Sequence, residues 1–373
     1  MSHPPRINMA ALKQGMEAEG LDVLLAISQE TFFYVTDTLL LSQKILPTRL
    51  CMAILPRDGP PAALVCYCEE LQTRQDSWIT DIHTYLEFQE SPVKVLVELL
   101  KARGFGVARI GIEKGFLAAC YVEELAALLP EATWVGADRV FDTARAIKTD
   151  TEIALMAEAA RLTEQAILET FEEAKPGDTE KEMADVLCTR ILNAGATSHF
   201  ITLAAGANTA INHPFPGSKP LAQGEILRVD VGGTFKGYQS DLARTAAIGA
   251  STEEQRSTYK RLREAQREAI AAARPGVRAG DLYGSCKRAL EQGGLSITSQ
   301  SVGHGFGIGM HEFPVLHANE NAEIKPGMLL CIEPAVKDSQ GFLYHIEDLL
   351  VVTEGDPEIL TTVMDTEVLF IIC

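Results

Sequence analysis

"ILRVDVGGTFKGYQSDLARTAAI", residues 226–248, is the stretch on which the fold of this chain depends. Two apolar runs flank a polar centre, which predicts two strands joined by a turn near Phe235 and Lys236. In that register Asp230 and Asp241 face each other, and opposed residues on paired strands lie about 4.5–5.5 Å apart. The stretch therefore predicts a close pair of carboxylates in an otherwise apolar sheet.

A second stretch repeats this arrangement later in the chain. "MLLCIEPAVKDSQGFLYHIEDLLVV", residues 328–352, predicts a hairpin whose turn is centred near Gln340, so that Glu333 faces Glu347. Acidic residues are seldom buried unless they are paired, and two close carboxylates raise the pKa of one of them. The two hairpins together therefore predict four carboxylates whose charge must be offset.

Either protons or metal cations can neutralise such a set of acids. Arg228 and Arg244 could compensate the aspartate pair, whereas the glutamate strands carry no comparable cation. Two metal ions about 3.5–4 Å apart match the span of bridging carboxylates, and such centres generate hydroxide at neutral pH. Each acid taken singly is equally well explained as a solvated residue at a strand edge. The repeated arrangement favours a metal centre.

"GHGFGIGMHEFP", residues 303–314, adds nitrogen donors to these acids. Its four alternating glycines share one strand parity, which leaves one face as bare backbone and projects His304 from the other. His311 has the opposite parity, so a bulge or a strand end must redirect it toward the same site. The spacing matches neither GxGxxG nor GxxxxGK, and a phosphate-binding loop is therefore the weaker interpretation.

An internal similarity indicates how the second half of the chain is built. Residues 161–196 and 259–294 each contain a helix, a basic-Pro-Gly turn and a second helix that ends near glycine. Thr179 and Glu182 form a capping-box pattern at the second helix of the first copy. We expect a pseudo-two-fold domain in which helices back a curved antiparallel sheet, with a cleft between the halves. Chance similarity of two amphipathic helix pairs is the alternative.

The amino-terminal part alternates helix and strand patterns and contains no cluster of chemically reactive residues. Its first helix is expected to end at Gly20, and residues 50–68 read as two strands around an Arg-Asp-Gly turn. Residues 137–174 predict one long charged helical stretch that opens a second domain. These patterns predict a mixed α/β (α+β) protein with domains at 1–142 and 143–373.

Composition and charge narrow the class of protein. The 373 residues are 46% hydrophobic and 23% charged, as in soluble globular proteins, and the net charge of −18 disfavours nucleic acid and anionic membranes as partners. No apolar run approaches the roughly 20 residues of a membrane span, and no signal-peptide pattern is present at the start. Eight cysteines without a CxxC pair indicate reduced thiols. We therefore expect a cytoplasmic protein.

The motifs together closely resemble the creatinase/prolidase/methionine-aminopeptidase family, the "pita-bread" metallohydrolases. The resemblance rests on "VDVGGTFKGYQSDLART", "GHGFGIGMHEFP", "KPGMLLCIEP" and "HIEDLLVV", in that order. The two-domain layout resembles the aminopeptidase P and prolidase branch. The resemblance implies a creatinase-like amino-terminal domain, a catalytic pita-bread domain, two divalent metal ions, a short peptide substrate and a homodimer.

The same resemblance implies a role for each metal-ligand candidate. Asp230 would chelate one metal ion, and His304 and Glu333 the other. Asp241 and Glu347 would bridge the two ions, and a hydroxide held between them would attack a carbonyl carbon. The oxygen-rich donor set with one imidazole suits Mn, Fe or Co as well as Zn.

Three further residues receive roles from the resemblance. Glu333 would also relay a proton from the water to the leaving nitrogen. His311 would donate a hydrogen bond to the developing oxyanion, and His213, in "GANTAINHPFPG", would contact the substrate amide. Cys331 stands where the family often has threonine and either tunes the site or fills space.

Two positions depart from the proline-specific pattern, in which residue 300 is usually histidine and residue 345 usually arginine. Here they are Gln300 and His345. The leading hypothesis is a Xaa-Pro dipeptidase or aminopeptidase. The departures leave open a hydrolase or lyase of a small non-peptide compound, similar to the ectoine-hydrolase and sulfonium-compound-lyase members. A non-catalytic binding module is less favoured, because such relatives generally lack the complete ligand set.

Overall fold

The chain is divided into two compact units in this computed structural model, which describes residues 6–46 and 49–373. The first unit ends at Arg145, and the second is Ala146–Cys373. The sequence pattern places the division slightly earlier, at residue 142. Both positions lie within one helix, Asp138–Ala146, so the change of unit is not marked by a loop.

The first unit contains a six-stranded mixed sheet with the order β4-β3-β2-β1-β5-β6. Its elements, in chain order, are α1 Met9–Ala18, β1 Val23–Ala26, α2 Gln29–Thr36, α3 Leu41–Ile45, β2 Met52–Pro56, β3 Ala62–Cys66, α4 Glu70–Asp76, β4 Ile82–Tyr85, α5 Pro92–Ala102, β5 Arg109–Ile112, α6 Ala119–Leu128, β6 Thr133–Gly136 and α7 Asp138–Ala146. The predicted α/β character, the helix end at Gly20 (φ 63°) and the hairpin of β2 and β3 are confirmed. Apolar residues of β1, β2, β3, β5, α5 and α6 form its core.

The second unit contains two five-stranded sheets and a short hairpin. Its elements are α8 Asp150–Glu173, α9 Glu180–Asn193, β7 His199–Ala205, β8 Ile226–Phe235, β9 Tyr238–Gln239, β10 Leu242–Ile248, α10 Glu253–Ala272, α11 Ala279–Gln292, β11 Ser301–Gly305, β12 Glu312–His317, β13 Leu329–Ile332, β14 Ala335–Lys337, β15 Leu343–His345, β16 Asp348–Val351, β17 Glu358–Ile359 and β18 Phe370–Ile372. One sheet has the order β18-β10-β8-β7, with β9 paired to β8, and the other has the order β12-β11-β13-β16-β17. The pairings are antiparallel except that of β10 with β18.

The two halves of the second unit repeat one plan, as the sequence predicts. Helices α8 and α9 pack on β8 and β7, and helices α10 and α11 pack on β13 and β12. The turn glycines of the two helix pairs, Gly177 and Gly276, both have positive φ. Their N–H groups donate hydrogen bonds to the backbone carbonyls of Leu221 and Ile324, respectively. The capping box of Thr179 at the start of α9 is confirmed. Helix-backed antiparallel sheets therefore form the scaffold of the site.

The prediction of one long helical stretch over residues 137–174 is wrong in one respect, because the structure forms two helices there. The chain leaves helical geometry at residues 147–149, between α7 and α8. Thr149 caps α8, and its side chain and that of Glu152 satisfy each other's backbone N–H groups. No helix in the described part of the chain is both long enough and apolar enough to span a membrane.

Candidate metal centre

The aspartate hairpin forms, but its turn lies one residue later than the sequence predicts. Asp230 on β8 is paired with Ala243 on β10, so the prediction that it directly faces Asp241 is wrong. The central turn residues are Lys236 and Gly237, whose φ angles of 51° and 88° suit the two-residue turns that close hairpins. Asp241 is consequently a diagonal neighbour of Asp230, a position from which side chains on one face still meet.

The glutamate hairpin has the predicted register. The pairing of β13 with β16 and that of β14 with β15 both correspond to a turn centred at Gln340, which sets Glu333 opposite Glu347. At this point the two strands separate. The N–H of Glu333 donates to the carbonyl of Val302, whereas the N–H of Glu347 donates to that of Ala243. The hairpin thus joins the two five-stranded sheets where the aspartates lie.

The four acids form one group, which we call the acidic cluster: Asp230, Asp241, Glu333 and Glu347. Carboxylate oxygens of Asp230, Asp241 and Glu347 lie within 4.8 Å of one another. Glu333 and Glu347 lie within the same distance of each other and of a ring nitrogen of His345. Asp241 and Glu347 are buried, and the other two are partly exposed to a cavity.

The glycine-rich segment is a strand only in its first part. β11 ends at Gly305, and Gly307 and Gly309 lie in the turns that follow, so the prediction of one continuous alternating strand is wrong. Within the strand the expected close approach is observed. A Cβ atom at Gly303, whose φ is 151°, would overlap the carbonyl oxygen of Cys331 on β13. Glycine at this position allows β11 and β13 to pair beside the acidic cluster.

The two histidines of this segment lie against each other. The pairing of β11 with β12 changes register on both sides of His304, which is the bulge that His311 requires. Their rings stack with centroids 3.8 Å apart. Nε2 of His304 is 3.5 Å from Oε1 of Glu333. Burial lowers the pKa of His304, which favours the neutral imidazole that binds metals.

A buried ion pair fixes the loop that carries His311. Nζ of Lys148 is 2.9 Å from Oε2 of Glu312, and both side chains are 2% exposed. The other carboxylate oxygen of Glu312 accepts a hydrogen bond of 2.9 Å from the N–H of Gly309. The glutamate next to His311 therefore holds both ends of the short loop 309–312.

The site opens into a cavity of about 500 Å³. His213 follows a short 3-10 helix, Gly206–Ala210, and is exposed on the cavity wall, on which His311 also lies. Apolar side chains also line the cavity, among them Phe200, Met310 and Leu343. The cavity therefore combines polar groups with surface for an apolar substrate side chain.

Burial and mutual repulsion control ionisation in the acidic cluster. Burial raises the pKa of Asp241 far above its ordinary value, and the charges of Asp230 and Glu333 raise it further. The pKa of Glu347 is likewise raised well above normal, by burial and then by the charges of the other three acids. Burial also raises the pKa of Asp230. The cluster cannot hold four charges unless cations or protons balance them.

Glu333 behaves differently because of a histidine that the sequence marks only as a departure. Burial opposes ionisation of Glu333, but the hydrogen bond and charge of His345, and then the charges of His304 and His311, lower its pKa overall. Nε2 of His345 is 3.4 Å from Oε2 of Glu333, and Nδ1 is 3.9 Å from Oδ2 of Asp230. The shared strand parity of residues 345 and 347 was the signal that could have placed His345 in the site.

The two arginines expected to offset the aspartates serve other groups. Arg244 is fully buried and pairs with Glu164 and Asp348. Nη2 of Arg228 donates to the backbone carbonyls of Ile211 and Asn212. Neither arginine forms an ion pair with the acidic cluster among the described residues, although the charge of Arg228 lowers the pKa of Asp230 against the larger effect of burial. Most of the charge of the cluster is thus left for cations or protons to balance.

The donors present fit divalent metal ions. Oε1 of Glu347 and Nδ1 of His345 are buried and have no hydrogen-bond partner in the part of the chain that the structure describes. Oxygen donors with one or two imidazoles suit Mn, Fe, Co or Zn. The thiol of Cys331 lies within 4.8 Å of donor atoms of His304 and Glu347, and burial raises its pKa well above normal.

The fold and the donor set fit a metal-dependent hydrolase, and comparison with known proteins gives the family. Residues 154–354 match metallopeptidase family M24, and residues 9–147 match the creatinase/prolidase N-terminal domain. The chain belongs to metallopeptidase family M24 and is a peptidase, an enzyme of a family that uses divalent metal ions.

Individual relatives can be aligned with most or all of this chain. The Xaa-Pro dipeptidase of Pyrococcus furiosus is 28% identical over 307 residues, which cover 82% of this chain and 85% of that protein. The Xaa-Pro dipeptidase of Lactobacillus delbrueckii subsp. lactis is 27% identical over 353 residues, 93% of this chain and 95% of that one. The crystal structure of a Thermococcus sibiricus prolidase covers all of both chains with a TM-score of 0.87 at 23% identity, and shows the same fold.

Proposed function

We propose that this metallopeptidase is a dinuclear enzyme of the Xaa-Pro dipeptidase or aminopeptidase type that cleaves short peptides. The observation that carries the proposal is the meeting of four carboxylates and His304 at a cavity also lined by His213 and His311. Relatives with Xaa-Pro dipeptidase activity in their names match most of the chain. The proposal extends their substrate class to this protein.

We assign the metal ligands as the sequence motifs suggest. Asp230 would hold one ion, His304 and Glu333 the other, and Asp241 and Glu347 would bridge them. The grouping of Asp230, Asp241 and Glu347 within 4.8 Å supports the first ion and the bridging pair. Bound divalent cations would polarise the peptide carbonyl and supply a hydroxide nucleophile at neutral pH.

The remaining steps fall to side chains of the chain itself. Glu333 is the acid whose pKa is lowered, by its hydrogen bond and charge interaction with His345, so it is ready to accept a proton and pass it to the leaving nitrogen. His311, held by the 309–312 loop, would donate a hydrogen bond to the carbonyl oxygen as negative charge develops there. His213, which also lines the cavity, would orient the substrate amide.

Metal analysis followed by a peptide assay tests the proposal. Metal-free protein should be inactive, and one of Mn, Co, Fe or Zn should restore hydrolysis of Xaa-Pro dipeptides. Asp241→Asn and His304→Ala should abolish it, whereas Asp185→Asn, an exposed helix substitution, should not. Full activity in metal-stripped protein would refute the metal-dependent mechanism.

His345 favours a second candidate, a hydrolase or lyase of a small non-peptide compound. Its ring lies in the cavity beside Glu333, and it changes the shape and charge of the wall relative to the proline-specific pattern. Gln300, the other departure, is exposed and does not line the cavity. A panel of Xaa-Pro dipeptides, small amides and small osmolytes separates the two candidates, because only the second predicts that the amides or osmolytes are the better substrates.

A cytoplasmic location and a homodimeric state remain predictions from the sequence and its resemblance. Cell fractionation tests the first. Sedimentation equilibrium of purified protein tests the second.

A further inference from the structure

We propose that Arg228 and Thr202 form an anion-binding subsite in the cavity that holds the free carboxylate of the substrate. The inference rests on the proposed peptidase function and specifies it further. It makes the enzyme selective for short substrates that end in a carboxylate within reach of the metal centre, in the manner of a dipeptidase.

Position on the sheet brings these two residues to the metal centre. Thr202 on β7 is paired with Asp230 on β8, and Arg228 lies two residues before Asp230. All three side chains therefore share one face of the sheet, with Thr202 and Arg228 as diagonal neighbours. Both residues line the cavity that contains the acidic cluster.

Both side chains carry buried polar atoms that have no hydrogen-bond partner among the described residues. Arg228 is 3% exposed, and its Nε is one of these atoms. Its Nη2 donates hydrogen bonds to the carbonyls of Ile211 and Asn212. The buried hydroxyl of Thr202 is the other such atom. Unpaired buried donors are costly, so two of them on one wall of a cavity indicate a ligand that accepts hydrogen bonds.

The charge of the cavity indicates that this ligand is an anion. Arg228 is the single lysine or arginine among the described residues that line the cavity. Among the described residues Arg228 forms no ion pair with an acid of the cluster, although its charge lowers the pKa of Asp230, so its guanidinium remains available to a negatively charged ligand. A carboxylate accepts hydrogen bonds from both guanidinium and hydroxyl groups, and a short peptide presents one at its carboxyl end.

A pair of substrates tests the subsite. We would compare kcat/KM for a Xaa-Pro dipeptide and for its carboxyl-terminal amide, using metal-loaded enzyme. The wild-type enzyme should prefer the free acid by about 10- to 100-fold, the value of one or two charge-assisted hydrogen bonds. Arg228→Met should reduce the preference to near unity, Thr202→Val should reduce it several-fold, and Arg228→Lys should retain part of it.

The ratio of kcat/KM for the acid to that for the amide distinguishes loss of carboxylate binding from a general loss of activity. If Arg228 only supports the loop of Ile211 and Asn212, Arg228→Met lowers turnover of acid and amide equally and leaves the ratio unchanged, which would overturn the proposal. Equal use of acid and amide by the wild-type enzyme would also overturn it. Arg161→Met removes an exposed helix arginine and is the matched control.

Binding of non-hydrolysable ligands makes this test independent of activity. Calorimetry on metal-loaded protein with a reduced-bond dipeptide and its amide should give the same preference, lost in Arg228→Met. Failure to cleave any peptide, with this preference intact, would refute the proposed function and leave the subsite supported. Equal affinity for acid and amide would refute the subsite.

Discussion

Replacing Asp241 by asparagine should change protein stability in opposite directions with and without bound metal. In metal-free protein the Asp241 carboxyl is buried, and burial followed by the charges of Asp230 and Glu333 raises its pKa well above normal. A carboxyl with a raised native pKa contributes stability that is complete below its unfolded pKa, about 4, and lost as pH rises through the native value. Asparagine carries no such penalty.

The size of the effect follows from that linkage. At a pH above the native pKa, metal-free Asp241→Asn should be more stable than wild type by about 1.4 kcal/mol for each unit by which the native pKa exceeds the unfolded one. The advantage should shrink toward pH 5. With metal present the sign reverses, because a ligand is lost. A free metal concentration of 100 times the Kd stabilises the native state by about 2.7 kcal/mol. The variant should lose much of this stabilisation.

Urea unfolding followed by circular dichroism measures both effects. The protein is compared at pH 5 and pH 8, after dialysis against a chelator and again with excess Mn²⁺. Asp185→Asn removes an aspartate that is paired with Lys181 on the helix surface, and should change stability by less than about 0.5 kcal/mol in every condition. A variant that is less stable than wild type both with and without metal, at both pH values, would refute the reasoning.

Two further substitutions test how the scaffold holds the site. Lys148→Met removes the cation that pairs with the buried carboxylate of Glu312 and should cost about 3–5 kcal/mol of stability, whereas Lys181→Met on a helix surface should cost under about 0.5 kcal/mol. Urea unfolding checks both, and equal losses would contradict a structural role for the buried pair. Gly303→Ala would drive a Cβ into a backbone carbonyl and should lower the free energy of unfolding by at least about 2 kcal/mol. Gly106→Ala is the control, because a Cβ atom at Gly106 would have no heavy atom within 4 Å. Comparable melting temperatures for the two variants would contradict this prediction and show that β11 and β13 tolerate a wider spacing.

The register of the glutamate hairpin could be predicted because its apolar strands extend on both sides of each glutamate. The apolar residues before Glu333 and after Glu347 leave one symmetric pairing, centred at Gln340. The aspartate hairpin offers less information. Its turn is set by Lys236 and Gly237, and the tolerance of glycine for positive φ decides between two turns that the apolar pattern alone does not distinguish.

Other features of the site depend on contacts between distant segments, which the sequence does not display. Arg244 is close to Asp241 in sequence, yet it pairs with Glu164 and Asp348 because three separate elements meet around it. His345 occupies the cavity because the glutamate hairpin passes from one sheet to the other at that point. Local patterns thus predict which residues can bind metal, and tertiary packing determines which charges remain unpaired.

Equilibrium dialysis against Mn²⁺, with the bound metal counted per chain, tests the central claim most directly. The account predicts two ions per wild-type chain, a loss of at least one in His304→Ala and in Asp241→Asn, and no change in Asp185→Asn. A wild-type chain that binds no Mn²⁺, Co²⁺, Fe²⁺ or Zn²⁺, or variants of the acidic cluster and His304 that keep the wild-type count, would contradict it.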